Sequence, residues 1–238
     1  MINTVRSFPN AFILALYCVF GFFSCKDTPK QNPETTPLVK EQVQVPVVIE
    51  PIQPDYDTTQ WTDIHLLDST IIIDLKYATT DNFVKEKLYD CQRCFLRPPA
   101  AKALVKAHQE FQQEGLRIKV LDCFRPRPIQ QKLWDKVPNP NYVTPPKKGS
   151  MHNRGLAVDL TLVDQNNEEL EMGTAFDYFG KEAHHTYTNL PEKVLNNRKL
   201  LKERLAKYHF RHIRTEWWHY SYTYGKFGLS DMLWNCES

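Results

Sequence analysis

The chain has almost no excess of either charge. Thirty Lys and Arg stand against 28 Asp and Glu, a net of +2. A protein that binds nucleic acid through its phosphates carries a marked basic surplus, so that class is excluded as the leading reading. No stretch of about 18 uninterrupted apolar residues occurs, which argues against a membrane-spanning helix. H-E-x-x-H, the helical zinc motif, is absent. The single C-x-x-C, Cys91 and Cys94, has no second copy to complete a zinc knuckle and no thioredoxin-like βαβ context. Strands and helices do not alternate strictly, which excludes a doubly wound fold. What remains is a chain of 238 residues, 42% hydrophobic, able to build one ordinary core without staples.

The first 25 residues read as a leader. Arg6 lies in a short positive lead, and an apolar run from Ala11 to Phe23 follows. The run ends F-F-S-C, which resembles the lipobox of bacterial lipoproteins, with Cys25 as the lipidated residue and Phe22 where an aliphatic residue is usual. Simple cleavage and secretion is the alternative. Residues 26–56 turn to Pro, Gln, Thr and Val without helical period, the composition of a disordered tether. The folded domain is expected over 57–238. The chain is therefore expected to be exported to the periplasm, touching a membrane only through a lipid on Cys25. An oxidising compartment permits disulfides among Cys91, Cys94, Cys123 and Cys236, but four cysteines allow three pairings, and buried thiols remain open as well.

Within the domain, Thr70 to Tyr77 alternates Ile71, Ile73, Leu75 and Tyr77, as in a strand. Pro98 and Pro99 open a helix to about Glu114, with Leu104, Ala107 and Phe111 on one face and Gly115 as its stop. Leu116 to Phe124 reads as a strand running into F-R-P, so Arg125 falls where strand becomes loop. A short helix follows from Pro128 to about Val137. Gly155 to Val163 reads as a strand with Leu156, Val158, Leu160 and Leu162 on one face and Asp159 on the other. The longest helix runs from Pro191 to about Tyr208, and Phe210 to Tyr222 is aromatic and β-like. The fold class expected is α+β, a mostly antiparallel sheet with flanking helices.

Two segments carry the chemistry. G-S-M-H-N-R-G-L-A-V-D-L-T-L holds His152 and Asp159, and T-E-W-W-H-Y holds Glu216 and His219. A catalytic zinc site uses three protein ligands, an open position and a nearby base. His152, Asp159 and His219 are read as the ligands and Glu216 as the base. Each pair alone is weak among 8 His and 28 acids; the combination, with an Arg-Pro loop ahead of it, is not. One difficulty follows from geometry. Residues i and i+3 of a regular strand face opposite ways, so Glu216 and His219 can share a site only if the strand is bulged or broken between them.

These segments, with D-L-K-Y-A-T-T-D-N-F, F-R-P, M-G-T-A-F-D and the H-H at His184 and His185, resemble the VanX-type D-alanyl-D-alanine dipeptidases, of the D-Ala-D-Ala-peptidase/hedgehog-like fold. The resemblance covers about Ile64 to Tyr220. It implies one Zn2+ per chain on His152, Asp159 and His219, Glu216 as general base and acid, and Arg125 stabilising the transition state. It further implies a small substrate pocket at Tyr77, Ser150 and Asp177, with Asp177 meeting the ammonium of a D,D-dipeptide. The cysteines and the leader depart from that pattern. The competing readings are a DD- or LD-carboxypeptidase acting on peptidoglycan stem peptides, and a tethered zinc- or peptidoglycan-binding module without turnover.

Overall fold

The computed structural model describes residues 54–140 and 142–236. The leader, 1–25, and all but the last three residues of the tether, 26–56, lie outside the described residues. The described chain holds a two-stranded sheet of β1 (Thr62–Asp63) and β3 (Phe95–Leu96), and a five-stranded sheet. The latter comprises β2 (Ile72–Ile73), β4 (Arg117–Asp122), β5 (Ala157–Val163), β6 (Phe210–Ile213) and β7 (Glu216–Tyr222), in the order β2-β4-β5-β7-β6. β2 pairs with β4 in parallel; every other pairing is antiparallel. The fold is α+β with a mostly antiparallel sheet.

The helices are α1 (Ile64–Leu67), α2 (Pro98–Gln112), α3 (Arg127–Lys136) and α4 (Glu192–Lys207). α2 carries Pro at its first turn, where a missing N–H costs nothing. Its Leu104, Ala107 and Phe111 are fully buried and share one core with Val158, Leu160 and Leu162 of β5 and Leu201 and Leu205 of α4. That apolar face of the sheet is therefore sealed by α2 and α4. By alternation, the Asp159 face of β5 looks the other way, yet it too is covered, and the whole strand is buried.

One expectation is corrected. The run Thr70 to Tyr77 is not one strand. Only Ile72–Ile73 pairs, Asp74 N–H donates to Val120 O, and Lys76–Ala78 then coils into a 3-10 turn that buries Tyr77. The alternation there reflects burial of Ile71, Leu75 and Tyr77 rather than a continued ladder. The β-like stretch Phe210 to Tyr222 forms two strands, β6 and β7, folded back at Arg214 and Thr215. The cysteines resolve as Cys91–Cys236 and Cys94–Cys123, one of the three pairings the sequence left open.

Candidate active site

Register across the three central strands sets the site. Asp122 of β4 stands opposite Asp159 of β5, and Asp159 stands opposite His219 of β7. Both flanking strands are irregular here. The β4–β5 register shifts between Val120 and Asp122. Between β6 and β7 the pairing passes from His212↔Tyr220 directly to Ile213↔Glu216, so Trp217, Trp218 and His219 bulge out of that ladder. This is the irregularity that Glu216 and His219 need to face one place. Both tryptophans are buried, and Trp217 Nε1–H donates to Thr174 Oγ1 at 2.8 Å.

His152 arrives from outside the sheet, on a 3-10 turn of His152–Arg154 that ends at Gly155. Gly155 has φ +68°, and a Cβ there would lie 2.4 Å from the Trp61 ring, so glycine alone lets the chain turn from His152 into β5. Asn153 locks the turn: its side chain donates to Arg125 O at 2.7 Å and accepts from Ser150 N–H at 2.8 Å.

The outcome is a tight cluster. His152 Nε2 lies 3.1 Å from His219 Nδ1 and 3.3 Å from Asp159 Oδ1, and His219 Nδ1 lies 3.0 Å from the same oxygen. All three residues are under 10% exposed. The other ring nitrogens are engaged. His152 Nδ1 sits 2.7 Å from Cys123 O, and His219 Nε2 sits 3.0 Å from Ser221 Oγ. A carbonyl only accepts, so Nδ1 of His152 carries the proton and Nε2 presents a lone pair. Two imidazole nitrogens and a carboxylate oxygen thus converge inside a buried pocket, all within 4.8 Å of one another. Without a cation, this close approach needs protons shared among the two ring nitrogens and the Asp159 oxygen. The donor set suits a borderline divalent ion such as zinc.

The electrostatics follow. Burial would push the Asp159 carboxyl up, but His152 and His219 facing it hold it well below the usual carboxylate range. Burial pushes Glu216 up; His219 and Arg125 oppose this, and Asp159 adds to it. Asp177 is pushed well up by burial and by Asp159, against the pull of Tyr77 and Arg125. Tyr77 O–H donates to Asp177 Oδ2 at 2.9 Å, and the Arg125 guanidinium stacks 4.9 Å from the centre of the Tyr77 ring. Burial works against the Arg125 cation, but Asp122, Tyr77, Tyr89 and Asp159 together outweigh it, and the proton is held more firmly than usual.

Glu216, Arg125, Tyr77 and Asp177 are thus electrostatic neighbours of the His152/Asp159/His219 cluster. Ser150 is less so: it is half-buried and its hydroxyl bonds to Asn153 Oδ1 at 3.2 Å. His184 and His185 stand apart from the cluster. His184 O accepts from Arg198, and the His185 ring packs 4.6 Å from His212.

Sequence reasoning missed the residues that hold these. Asp122, fully buried, accepts from Arg125 Nε at 3.0 Å and Nη2 at 2.5 Å, and from Tyr89 O–H at 2.8 Å. Gln130, also fully buried, accepts from Arg125 Nη1 at 3.0 Å. The spacing of Asp122 and Arg125, three apart at a strand end, is the one available signal; nothing in the sequence marks Gln130 or the Cys123 carbonyl. The C-terminal tail braces the same loops. Ser230 N–H donates to Asn153 O, Arg154 to Phe227 O, and Cys236 closes the tail onto Cys91.

Comparison with known proteins bears on the family. The D-Ala-D-Ala dipeptidase model of Peptidase_M15 matches residues 57–232. The D-alanyl-D-alanine dipeptidase of Escherichia coli (strain K12) is 37% identical over 164 residues, covering 69% of this chain and 85% of that protein. The D-alanyl-D-alanine dipeptidase of Enterococcus faecalis (strain ATCC 700802 / V583) is 29% identical over 171 residues, covering 62% of this chain and 83% of that protein. Among solved structures, VanYB in complex with D-alanine-D-alanine aligns with a TM-score of 0.36 at 16% identity, over 54% of this chain and 72% of that one.

Proposed function

The chain belongs to the Peptidase_M15 family of D-Ala-D-Ala dipeptidases; from that premise we propose that it is a zinc-dependent dipeptidase hydrolysing D-alanyl-D-alanine to two D-alanines. The observation that carries the reading is the buried convergence of His152 Nε2, His219 Nδ1 and Asp159 Oδ1 within reach of one ion. These three residues would hold one Zn2+ per chain. A bound zinc polarises a carbonyl and makes water acidic enough to attack near neutral pH.

Glu216 takes the proton of the attacking water and hands it to the leaving amine. A carboxylate whose affinity for the proton is raised by burial suits both halves of that exchange. Arg125, fixed by Asp122 and Gln130, meets the negative charge that develops on the carbonyl oxygen. It needs no reorientation, because its Nε and Nη1 are already committed. Asp177 accepts the free ammonium of the dipeptide. Its raised proton affinity is the mark of a buried carboxylate lacking a counter-charge, which the substrate supplies. Tyr77 holds that carboxylate in place, and the Ser150 hydroxyl serves the substrate carboxylate.

One observation favours the carboxypeptidase alternative. A cavity of about 560 Å³ lies against Asp177, lined also by Phe83, Leu121, Met172, Thr174 and Trp217. A substrate extended beyond its amino end would need such space. The test is hydrolysis of free D-Ala-D-Ala against N-acetyl-D-Ala-D-Ala by the purified protein, with and without a chelator. Chelator-sensitive cleavage of the free dipeptide alone supports the dipeptidase. Preference for the acylated peptide makes it a carboxypeptidase, and no cleavage of either leaves a binding module. Export and anchoring through Cys25 rest on the leader and its resemblance to a lipobox. Cys25→Ala is expected to move the protein from the membrane pellet to the soluble fraction.

A further inference from the structure

Helix α4 contributes a guanidinium that the chemistry above does not use. Arg198 is 4% exposed, and among the described residues no carboxylate lies within ion-pair distance of it. Its partners are backbone carbonyls: Nε donates to Met172 O at 2.7 Å, and Nη1 donates to Glu182 O at 3.0 Å and, more weakly, to His184 O at 3.4 Å. A buried cation without a counter-anion is a costly residue to keep, and burial accordingly weakens its hold on its proton. Packing alone does not account for it, since a methionine would fill the same space.

The three carbonyls lie at the two ends of one segment, 172–184. That segment has no regular structure beyond a 3-10 turn at Lys181–Ala183, and Asp177 is near its middle. Asp177 adopts φ +57°, a left-handed conformation that a non-glycine residue holds only when its surroundings impose it. The near end of the segment is pressed onto α4. A Cβ on Gly173 would fall 2.9 Å from Val194 and 3.3 Å from Arg198 Nη2, and Asn197, beside Arg198, donates to Glu171 O at 2.9 Å. Tyr77 and Trp217 each donate a single side-chain bond to the segment, at Asp177 and Thr174. Arg198 alone, among the side-chain bonds of the described residues, fastens both ends to the same rigid element.

We propose that Arg198 is a positioning residue for substrate selection: by tying both ends of 172–184 to α4 it sets where the Asp177 carboxylate stands, and so which substrates present an ammonium to it. The inference rests on the reading of Asp177 as the ammonium acceptor. The effect is specific to the amino end of the substrate. His152, Asp159, His219, Glu216 and Arg125 are carried by β5, β7 and the loops of 122–125 and 149–155; Arg198 donates no hydrogen bond to any of these, and its charge reaches β7 only at Tyr220. A loosened segment should therefore weaken discrimination between a free and an acylated amine while leaving metal content and the chemical step nearly intact.

The test uses Arg198→Met, Arg198→Lys and, in parallel, Asp177→Ala, each in the full-length zinc-loaded protein. For Arg198→Met, KM for free D-Ala-D-Ala is expected to rise by about tenfold or more with kcat within about threefold. The preference for the free over the N-acetylated dipeptide should fall by the same factor, and amide hydrogen exchange across 173–183 should quicken. Zinc content should stay equal to that of the unaltered protein. Arg198→Lys keeps a cation but cannot reach both ends at once, so its KM should lie between the two. A merely structural role would instead lower kcat, zinc content and thermal stability together, and that result overturns the proposal. Should Arg198→Met fail to fold, an unaltered KM in Arg198→Lys overturns it equally. A rise in KM for Asp177→Ala with none for either Arg198 variant refutes the clamp and leaves the ammonium acceptor standing. No rise for Asp177→Ala refutes the acceptor itself, and the proposal with it.

Discussion

Asp122→Asn is the change that asks most of the site's architecture. The aspartate is fully buried and does three things at once. Oδ2 accepts two bonds from the Arg125 guanidinium, Oδ1 accepts one from Tyr89, and Oδ2 lies 3.6 Å from His152 Nδ1. Asparagine preserves shape and volume but removes the charge. Arg125, itself about nine-tenths buried, would lose its charged partner and keep the bond to Gln130 and one to the asparagine oxygen. Breaking a buried pair by removing one charge costs about 3–5 kcal/mol, because the other is left uncompensated. The amide oxygen still accepts one bond, so the low end, ~3 kcal/mol, is the working figure. For a domain of 150–250 residues each kcal/mol is worth about 2–4 °C in Tm, so the midpoint should fall by about 6–12 °C. Tyr89→Phe removes one neutral donor and should cost about 1 kcal/mol. Catalysis should fall further than stability suggests. A displaced Arg125 no longer meets the developing oxyanion, a loss of about 10²–10³ in kcat. The assays are thermal unfolding by circular dichroism at saturating zinc and steady-state hydrolysis of D-Ala-D-Ala. In an Arg125→Met background the same Asp122→Asn change should cost much less, since the charge it neutralises is gone. An Asp122→Asn protein that melts within about 2 °C of the unaltered one, at near-normal kcat, would show that the pair does not hold Arg125.

Glu216→Gln should retain zinc and lose about 10²–10⁴ in kcat, measured with metal analysis on the same preparation. Normal turnover in that variant would remove Glu216 as the proton carrier. Chelation should lower Tm, and restoring zinc at about a thousand times its Kd should return about 4 kcal/mol; His152→Ala should abolish that zinc-dependent part, and unchanged melting with chelator would argue against a bound ion. His185, half-buried against His212, has its proton affinity pushed down to about 3, chiefly by burial, with the His212 and nearby Lys202 and Arg198 charges adding to it. The folded chain therefore refuses a proton that the unfolded chain accepts near pH 6.5, so above that pH His185 contributes nothing. Stability should fall as pH drops from about 6.5 toward 3. His185→Gln should flatten that slope in melts run across the range; an identical slope would show that His185 does not titrate differently in the two states.

Much of the site was written locally. His152 and Asp159 are seven residues apart across a turn and a strand, and Glu216 and His219 share one strand. Their residue types name the chemistry, and hydrophobic period places α2, α4 and β5 within two or three residues, because buried faces impose their spacing on any helix or strand. The difficulty at Glu216 and His219 was itself readable: two groups that must meet but stand three apart imply a bulge, and one is present. Thr70 to Tyr77 was misread because alternate burial of Ile71, Leu75 and Tyr77 looks the same whether or not a ladder partner is there.

The sequence alone singled out the residues proposed as metal donors and base, and it placed the helices, since those depend on residue type and on spacing along the chain. Tertiary structure alone decided the pairing of the four cysteines, the alignment of Asp122, Asp159 and His219 across three strands, and the Cys123 carbonyl that fixes the His152 proton. It also decided the grip of Arg198 on the segment that carries Asp177. Each of these joins groups between 16 and 145 positions apart, or uses backbone atoms that every residue has. Neither distance in sequence nor a carbonyl oxygen leaves a mark in the letters; only the register of the sheet and the closing of the core bring them together.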